Sequence, residues 1–181
     1  GGERILLDCG TARFGKRKGR SDVDFPFPPS SLDVVVLSHA HIDHCGNLPH
    51  LVRQGFEGPI YCTPATRDLI GLMLGESARI QDEEDHVLRL LNGEPDEATS
   101  PPALSWVQRT LCQCAGVPYG QPIPITPQTT LRLTDAGHIL GSAMVSLTLP
   151  GIGRDVTLTF TGDIGRRGRP YLRQMDDVPP A

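Results

Sequence analysis

The apolar positions along the chain fall into short runs that are typical of β-strands. Residues 34–37 (Val-Val-Val-Leu) form an apolar, largely β-branched run, which predicts a strand. Apolar and polar residues alternate over 130–134 (Thr-Leu-Arg-Leu-Thr), the pattern of a half-buried strand. Strands are predicted near residues 4–8, 33–38, 59–62, 129–135, 143–149 and 155–161.

Between the predicted strands, apolar residues recur with helical spacing. Helices are predicted near residues 47–54, 65–80, 83–91 and 102–112. Thr66 is expected to cap the second helix, and residues 69–74 carry its apolar stripe. Segments 94–102 and 116–128, rich in turn-forming residues, predict loops. This order of elements predicts an α/β fold, with one sheet and its helix layer from an αββα sandwich.

Composition and net charge do not show which class of molecule the protein binds. At 181 residues the chain has about the length of one domain, and its net charge of −4 does not by itself direct it to nucleic acid. A basic groove can nevertheless form locally in an acidic protein. Two basic clusters, residues 16–20 and 166–169, are candidates for contacts with phosphates. The alternative, solubilising charge on loops, stays open for both.

The cysteine count and the hydropathy of the chain indicate its cellular compartment. The chain has five cysteines, an odd number, and no signal-like segment, which predicts free thiols in a reducing compartment and therefore a cytoplasmic protein. No stretch approaches the roughly 18 apolar residues of a membrane span, so no membrane partner is expected. Because the first residue is Gly and not Met, a removed targeting segment stays an open alternative.

The densest group of metal-binding residue types follows the apolar run at 34–37. It consists of His39, His41, Asp43 and His44. Imidazole and carboxylate are donors that Zn²⁺ takes up. His39 and His41 are two residues apart, so on an extended strand end they project to one side and can hold one ion. Asp43 and His44 follow a turn and can reach a second ion. The alternatives are ordinary polar residues or one mononuclear structural site.

Two further donors lie at the ends of later predicted strands. His138 follows the strand at 129–135, and Asp163 follows the strand at 155–161. Each is flanked by glycine, which lets the backbone approach a ligand closely. Taken alone, either would more often be an ordinary loop residue. Together with the histidines at 39–44, they are expected to complete a metal site.

In this order, the motifs resemble those of the metallo-β-lactamase superfamily. Residues 6–10 (Leu-Leu-Asp-Cys-Gly) look like its first motif, residues 39–44 its second, His138 its third and Asp163 its fourth. Residues 136–143 (Ala-Gly-His-Ile-Leu-Gly-Ser-Ala) resemble the β-CASP nucleases, a branch with bacterial ribonucleases and endonuclease subunits of messenger-RNA 3′-end processing. Glyoxalase- and lactamase-like members tend to carry Pro-Gly-His-Thr-Pro-Gly there instead.

The resemblance implies an αββα sandwich that binds two zinc ions. One ion would be held by His39, His41 and His138, the other by Asp43 and His44, with Asp163 bridging. Asp43 and Asp163 would take part in catalysis through the metals and a hydroxide between them.

The same resemblance implies roles for residues around the metals. Asp8 would accept hydrogen bonds that hold the histidine loop, although it can instead be a turn residue before Gly10. Apart from the resemblance, the basic cluster at 166–169 makes Arg166 and Arg167 candidate phosphate contacts.

The function implied is metal-dependent hydrolysis of RNA phosphodiester bonds, with RNA as the partner. A thioesterase- or lactonase-type hydrolase and a non-catalytic scaffold subunit are the alternatives. Because the family's fold extends beyond these motifs on both sides, residues 1–181 are expected to be the N-terminal portion of the catalytic domain. The β-CASP insertion, the C-terminal portion, the general acid, the last metal ligand and any homo-oligomer contacts are then expected outside this chain.

Overall fold

The computed structural model describes residues 2–11, 24–93, 103–166, 168 and 170–178, apart from the side chain of Asp85. The strands are Ile5–Leu7 (β1), Val34–Val36 (β2), Ile60–Cys62 (β3), Cys114–Gly116 (β4), Ile123–Pro124 (β5), Thr130–Asp135 (β6), Ala143–Leu149 (β7) and Val156–Phe160 (β8). The helices are Ile42–Cys45 (α1), Leu48–Arg53 (α2), Pro64–Leu91 (α3) and Ala103–Gln113 (α4). The basic cluster at 16–20 and the predicted linker at 94–102 lie outside the described residues.

The first sheet has the order β1-β2-β3-β4, and all its strand pairs are parallel. Its two faces are both covered, which explains why β2 is apolar throughout. Val35 packs into the core beneath the helices, whereas Val34 and Val36 pack into the core between the two sheets. The parallel arrangement places the C-terminal ends of β1 and β2 at the same edge of the sheet, where Asp8 follows β1 directly and His39 lies three residues beyond β2.

A second, antiparallel sheet has the order β5-β6-β7-β8. Its inner face carries Leu133, Val145 and Phe160, which lie side by side across three strands and belong to the core between the sheets. The expectation of one sheet is therefore wrong, while the α/β fold is confirmed. The alternating strands from residue 129 onwards cannot extend a parallel sheet through short connections. They pair with one another and bury their apolar side against the first sheet.

The secondary structure differs from prediction in several places. The helices predicted at 65–80 and 83–91 are one helix, α3, because the acidic run between them is its solvated face and contains no helix breaker. The N-cap is Thr63, not Thr66, and the Thr63 hydroxyl accepts the Thr66 backbone N–H at 3.1 Å. Strands β4 and β5 were not predicted, because three and two residues carry little pattern and form strands only by pairing.

No helix in the described part of the chain combines the length and the apolar character that crossing a membrane requires. The helices instead cover the outer face of the first sheet. A core of buried residues from β2, β3, α2, α3 and α4 fills that layer. This layer supports the edge of the sheet from which the histidines project.

Candidate metal centre

The candidate ligands come from both sheets, at the edge where the strands end. His39 follows β2, and His41 is the N-cap of the short helix α1. His138 lies in the loop between β6 and β7, and Asp163 lies three residues beyond the end of β8. The Ala143 backbone N–H donates to the Ser38 carbonyl at 2.7 Å, which joins the start of β7 to the loop after β2. The donors therefore meet because the sheets pack together at this edge.

Four donor atoms converge on one point: His39 Nε2, His41 Nδ1, His138 Nε2 and Asp163 Oδ2, all within 4.8 Å of one another. His41 Nδ1 lies 3.0 Å from His39 Nε2 and 3.2 Å from His138 Nε2. Asp163 Oδ2 lies 3.4 Å from His138 Nε2 and 4.0 Å from His39 Nε2.

These separations fit a tetrahedral cation. Ligands bound at about 2.0–2.1 Å to a tetrahedral Zn²⁺ stand roughly 3.3 Å from one another. Imidazole nitrogens brought this close with their lone pairs inward repel one another unless a proton or a cation lies between them. The donor set, three imidazoles and one carboxylate, is one that Zn²⁺ accepts. The described residues therefore fit a metal ion at this point.

Asp163 also reaches a second donor. Its Oδ1 lies 3.5 Å from His44 Nε2, while its Oδ2 faces the four-donor cluster. The Asp163 carboxylate therefore directs one oxygen towards the four-donor cluster and the other towards His44, which is the geometry of a ligand shared by two ions. Asp43 belongs to neither of the groups of close donor atoms found among the described residues. Its role as a ligand of a second ion stays a prediction.

Asp8 supports the histidines from behind. Its Oδ1 accepts the Ser38 backbone N–H at 2.7 Å, and its Oδ2 accepts the Ser38 hydroxyl at 2.7 Å. His44 Nδ1 lies 2.7 Å from the same Oδ2 and donates to it, which leaves a lone pair on His44 Nε2 facing Asp163. Asp8 also forms a group with His39 and His44, but these hydrogen bonds occupy its oxygens. They favour a supporting role over an ordinary turn residue.

The backbone of Asp8 is held in an unusual conformation. Its φ angle of 58° makes it the one non-glycine residue with positive φ in the described part of the chain. Aspartate tolerates this region better than most residues, at a cost that the surrounding contacts must offset. The hydrogen bonds to Ser38 and His44 supply such contacts. This geometry directs the carboxylate towards the histidine loop.

Burial determines the charge of the innermost histidine. His39 is fully buried, and desolvation, followed by the neighbouring His44, His41 and His138, lowers its pKa to about 4, although Asp163 acts in the opposite direction. His39 is therefore neutral near neutral pH, the form that binds a metal.

The nearby cysteines are not ligands in this geometry. Burial raises the pKa of Cys9 and of Cys45 to about 12, so both are protonated thiols at neutral pH. The Cys45 thiol donates to the Ala40 carbonyl at 3.3 Å, inside the core and away from the donor cluster. Both residues therefore belong to the packing beneath the site.

Hydroxyl groups whose role at the site the sequence did not reveal hold the His138 loop. The Ser142 hydroxyl accepts the backbone N–H groups of His138 at 3.0 Å and Ile139 at 3.2 Å. The hydroxyls of Thr63 and Thr66, at the start of α3, donate to the Gly141 carbonyl at 2.7 and 2.8 Å. The Thr-x-x-Thr spacing signals a helix cap, but nothing in the sequence shows that the cap also binds a loop 75 residues away.

Removing the Ser142 hydroxyl is expected to loosen this loop. Ser142→Ala leaves two backbone donors without their acceptor and should lower the free energy of unfolding by about 1–3 kcal/mol. Zinc affinity should fall with it, because His138 is no longer held. Ser146→Ala is the matched control, since Ser146 is buried and its hydroxyl has no hydrogen-bond partner in the described residues. Equal unfolding curves for the two variants would contradict this role.

The candidate phosphate contacts are only partly described. Arg166 is exposed, three residues beyond Asp163. The turn that leads to it is tied to the His138 loop, because the Gly165 backbone N–H donates to the Ala136 carbonyl at 2.9 Å. Arg167 lies outside the described residues. Contact with phosphates stays a prediction for both arginines.

Comparison with known proteins identifies the family of this chain. Residues 1–111 match the family model described as the metallo-beta-lactamase superfamily. The match covers more than half of the chain, so the chain belongs to the metallo-beta-lactamase superfamily. The superfamily that the motifs indicated is thereby confirmed.

Two curated relatives are similar over most of the chain. Ribonuclease TTHA0252 of Thermus thermophilus is 36% identical over 172 residues, which are 95% of this chain and 35% of that relative. Transcription termination factor FttA of Methanocaldococcus jannaschii is 37% identical over 163 residues, 89% of this chain and 23% of that relative. The chain therefore spans about a third or less of the length of these relatives.

Proposed function

We propose that this chain is the N-terminal portion of the catalytic domain of a β-CASP-type ribonuclease, a zinc-dependent hydrolase of RNA phosphodiester bonds in the cytoplasm. The observation that carries the proposal is the convergence of three imidazole nitrogens and a carboxylate oxygen within 4.8 Å, at the edge shared by the two sheets. The β-CASP insertion, the C-terminal portion and any contacts between copies belong to other parts of the proposed protein.

The relatives support RNA as the substrate. One carries the name ribonuclease, and another the name transcription termination factor. The third motif, residues 136–143, also resembles the β-CASP branch and not the lactamase-like members. Since this chain spans 35% and 23% of these relatives, the activity and the substrate of the whole protein are part of the proposal.

The proposed site would hold two zinc ions between residues of both sheets. One ion would be held by His39, His41, His138 and Asp163, and the other by Asp43, His44 and the second oxygen of Asp163. When bound, such ions supply Lewis acidity that stabilises the charge developing on phosphate oxygens during hydrolysis.

The residues of this chain prepare the site for such ions. Burial keeps His39 neutral, and Asp8 orients His44 with its Nε2 lone pair towards Asp163. The half-exposed Asp163 contributes the negative charge at the mouth of the site, where a phosphodiester would enter. Arg166 would bind a flanking phosphate and so position the RNA without reading its sequence.

Metal removal tests this proposal directly. Zinc is measured in the purified protein at its full natural length, and cleavage is followed on a fluorescent single-stranded RNA beside a panel of thioesters. RNA should be cleaved, a chelator should abolish the cleavage, and added zinc should restore it, because the bound ions are the proposed source of catalysis.

The other possible results would each favour one of the two alternative functions. Hydrolysis of thioesters without cleavage of RNA would contradict the ribonuclease and favour a thioesterase or lactonase. Absence of stoichiometric zinc together with absence of hydrolysis would contradict both enzymes and favour a scaffold subunit.

A further inference from the structure

Ser38, the residue before the first histidine, is almost fully buried, with 1% of its surface exposed. Its backbone N–H donates to Asp8 Oδ1 at 2.7 Å, and its carbonyl accepts the Ala143 backbone N–H at 2.7 Å. Its hydroxyl oxygen lies 2.7 Å from Asp8 Oδ2 and 2.9 Å from His39 Nδ1. Ser38 therefore contacts the first motif, the second motif and the start of β7.

The direction of these hydrogen bonds follows from the number of protons available. The Asp8 carboxylate only accepts, so the Ser38 hydroxyl donates its one proton to Asp8 Oδ2. Towards His39 the hydroxyl oxygen can then only accept. His39 must carry its proton on Nδ1, which leaves the lone pair on Nε2, the atom that faces His41 and Asp163.

The opposite tautomer would place a proton inside the donor cluster. With its proton on Nε2, His39 would offer no lone pair to a cation, and its Nδ1 would face the Ser38 oxygen without a donor between them. A ring that populates both tautomers binds a metal only through one of them, which lowers its apparent affinity. The direction in which the Ser38 hydroxyl donates its proton therefore affects whether His39 can bind a cation together with the other three donors.

Ser38 also sets the space for the turn that carries Asp163. A Cβ at Gly162 would lie 2.6 Å from the Ser38 Cβ and 2.7 Å from its hydroxyl oxygen. Gly162 therefore packs directly on Ser38, with a φ of 53°. The serine is held between Asp8, His39 and this turn, so its hydroxyl has little freedom to rotate to another partner.

We propose that Ser38 is a positioning residue that fixes His39 in the Nδ1–H tautomer and thereby raises the affinity of the site for a divalent cation. The second part of this inference rests on the proposed metal centre. The first part concerns the hydrogen bonds of the protein alone and holds in the absence of any ion.

Two measurements on the protein at its full natural length test the inference. The first is the tautomer of His39 in the metal-free protein, from ¹⁵N-histidine NMR with the signals assigned by His39→Asn. The second is zinc affinity, by competition with a chromogenic chelator, for wild type, Ser38→Ala, Ser38→Thr and the control Ser146→Ala. Wild type should show Nδ1–H, and Ser38→Ala should lose this preference.

Zinc affinity should fall by about 10- to 100-fold in Ser38→Ala, the usual effect of removing a group that orients a metal ligand. Ser38→Thr keeps the hydroxyl and should retain the tautomer and most of the affinity, while its added methyl group beside Gly162 is expected to lower the free energy of unfolding. Ser146→Ala should match wild type in both measurements, since it removes a buried serine hydroxyl without a described hydrogen bond.

An Nε2–H tautomer in wild type would overturn the inference, and so would a Ser38→Ala protein with unchanged tautomer and zinc affinity. The wild-type tautomer needs no variant, so misfolding of Ser38→Ala would not remove the test. Absence of zinc binding by wild type would contradict the proposed metal centre and the affinity part of the inference. The tautomer would still decide whether Ser38 orients His39.

Discussion

Replacing Asp163 with asparagine is expected to lower RNA cleavage by the full-length protein by about 10³-fold or more, the rate equivalent of several kcal/mol of charge stabilisation. Asp163 faces His138 with one oxygen and His44 with the other, so it is common to both proposed ions. An amide offers one neutral oxygen, and its NH₂ group would face imidazole nitrogens on the other side. Cleavage rates and zinc content of the two proteins measure the effect.

Asp163→Asn is expected to reduce RNA cleavage and zinc binding without unfolding the protein. The side chain of Asp163 is 47% exposed, so asparagine fits without repacking, and the unfolding curves of the two metal-free proteins should be nearly the same. Asp155→Asn is the matched control, because Asp155 is exposed in the turn between β7 and β8, away from the donor cluster. If Asp163→Asn cleaves RNA at the wild-type rate with wild-type zinc content, the assignment of Asp163 is wrong.

Adding a methyl group at Gly10 is expected to cause the largest loss of stability. A Cβ at Gly10 would lie 1.6 Å from the Asp43 carbonyl oxygen and 2.6 Å from the His44 backbone nitrogen. These are backbone atoms of α1, which cannot rotate away as a side chain does, and Asn47 binds the Gly10 carbonyl at 2.6 Å. Gly10→Ala should lower the free energy of unfolding by about 3 kcal/mol, the upper part of the range for overpacking.

Thermal unfolding followed by circular dichroism measures this effect, which corresponds to a fall of roughly 6–12 °C for a chain of this size. Zinc affinity should fall as well, because α1 carries His44. Gly75→Ala is the control, since a Cβ there meets no described atom within 4 Å and α3 is helical. It should stabilise the protein by about 0.5–1 kcal/mol. Equal melting temperatures for the two alanine variants would contradict the close approach at Gly10.

Much of the secondary structure could be predicted from the sequence, because its signals are local. Strands β1, β2, β3, β6, β7 and β8 lie within the predicted segments. Each has an apolar run or an alternation long enough to be seen. Strand β4 could not be predicted, since Cys114–Gly116 is a strand only through its pairing with Ile60–Cys62. The assignment of the strands to two sheets depends on contacts that no local pattern records.

For the candidate site, the sequence indicated donors but not the groups that hold them. His39, His41, His138 and Asp163 were predicted as ligands from residue type and strand ends, and their donor atoms lie together. Their binding of metal stays a proposal. Ser38, Thr63 and Ser142 carried no such signal, because serine and threonine are common in loops and caps. Their importance follows from which buried groups their hydroxyls contact.

By itself, the sequence determined the superfamily, the α/β class and the donor residues of the candidate centre. The superfamily follows from the resemblance of the motifs, and the donor residues follow from residue types at strand ends, because which side chains carry a metal-binding atom does not depend on distant contacts. Only the tertiary structure decided that two sheets are present, that Asp163 lies between His44 and His138, and that Ser38 contacts both Asp8 and His39. The reason is physical: the packing of the two sheets sets the distances from His39 and His44 to Asp163, which lies more than a hundred positions further along the chain.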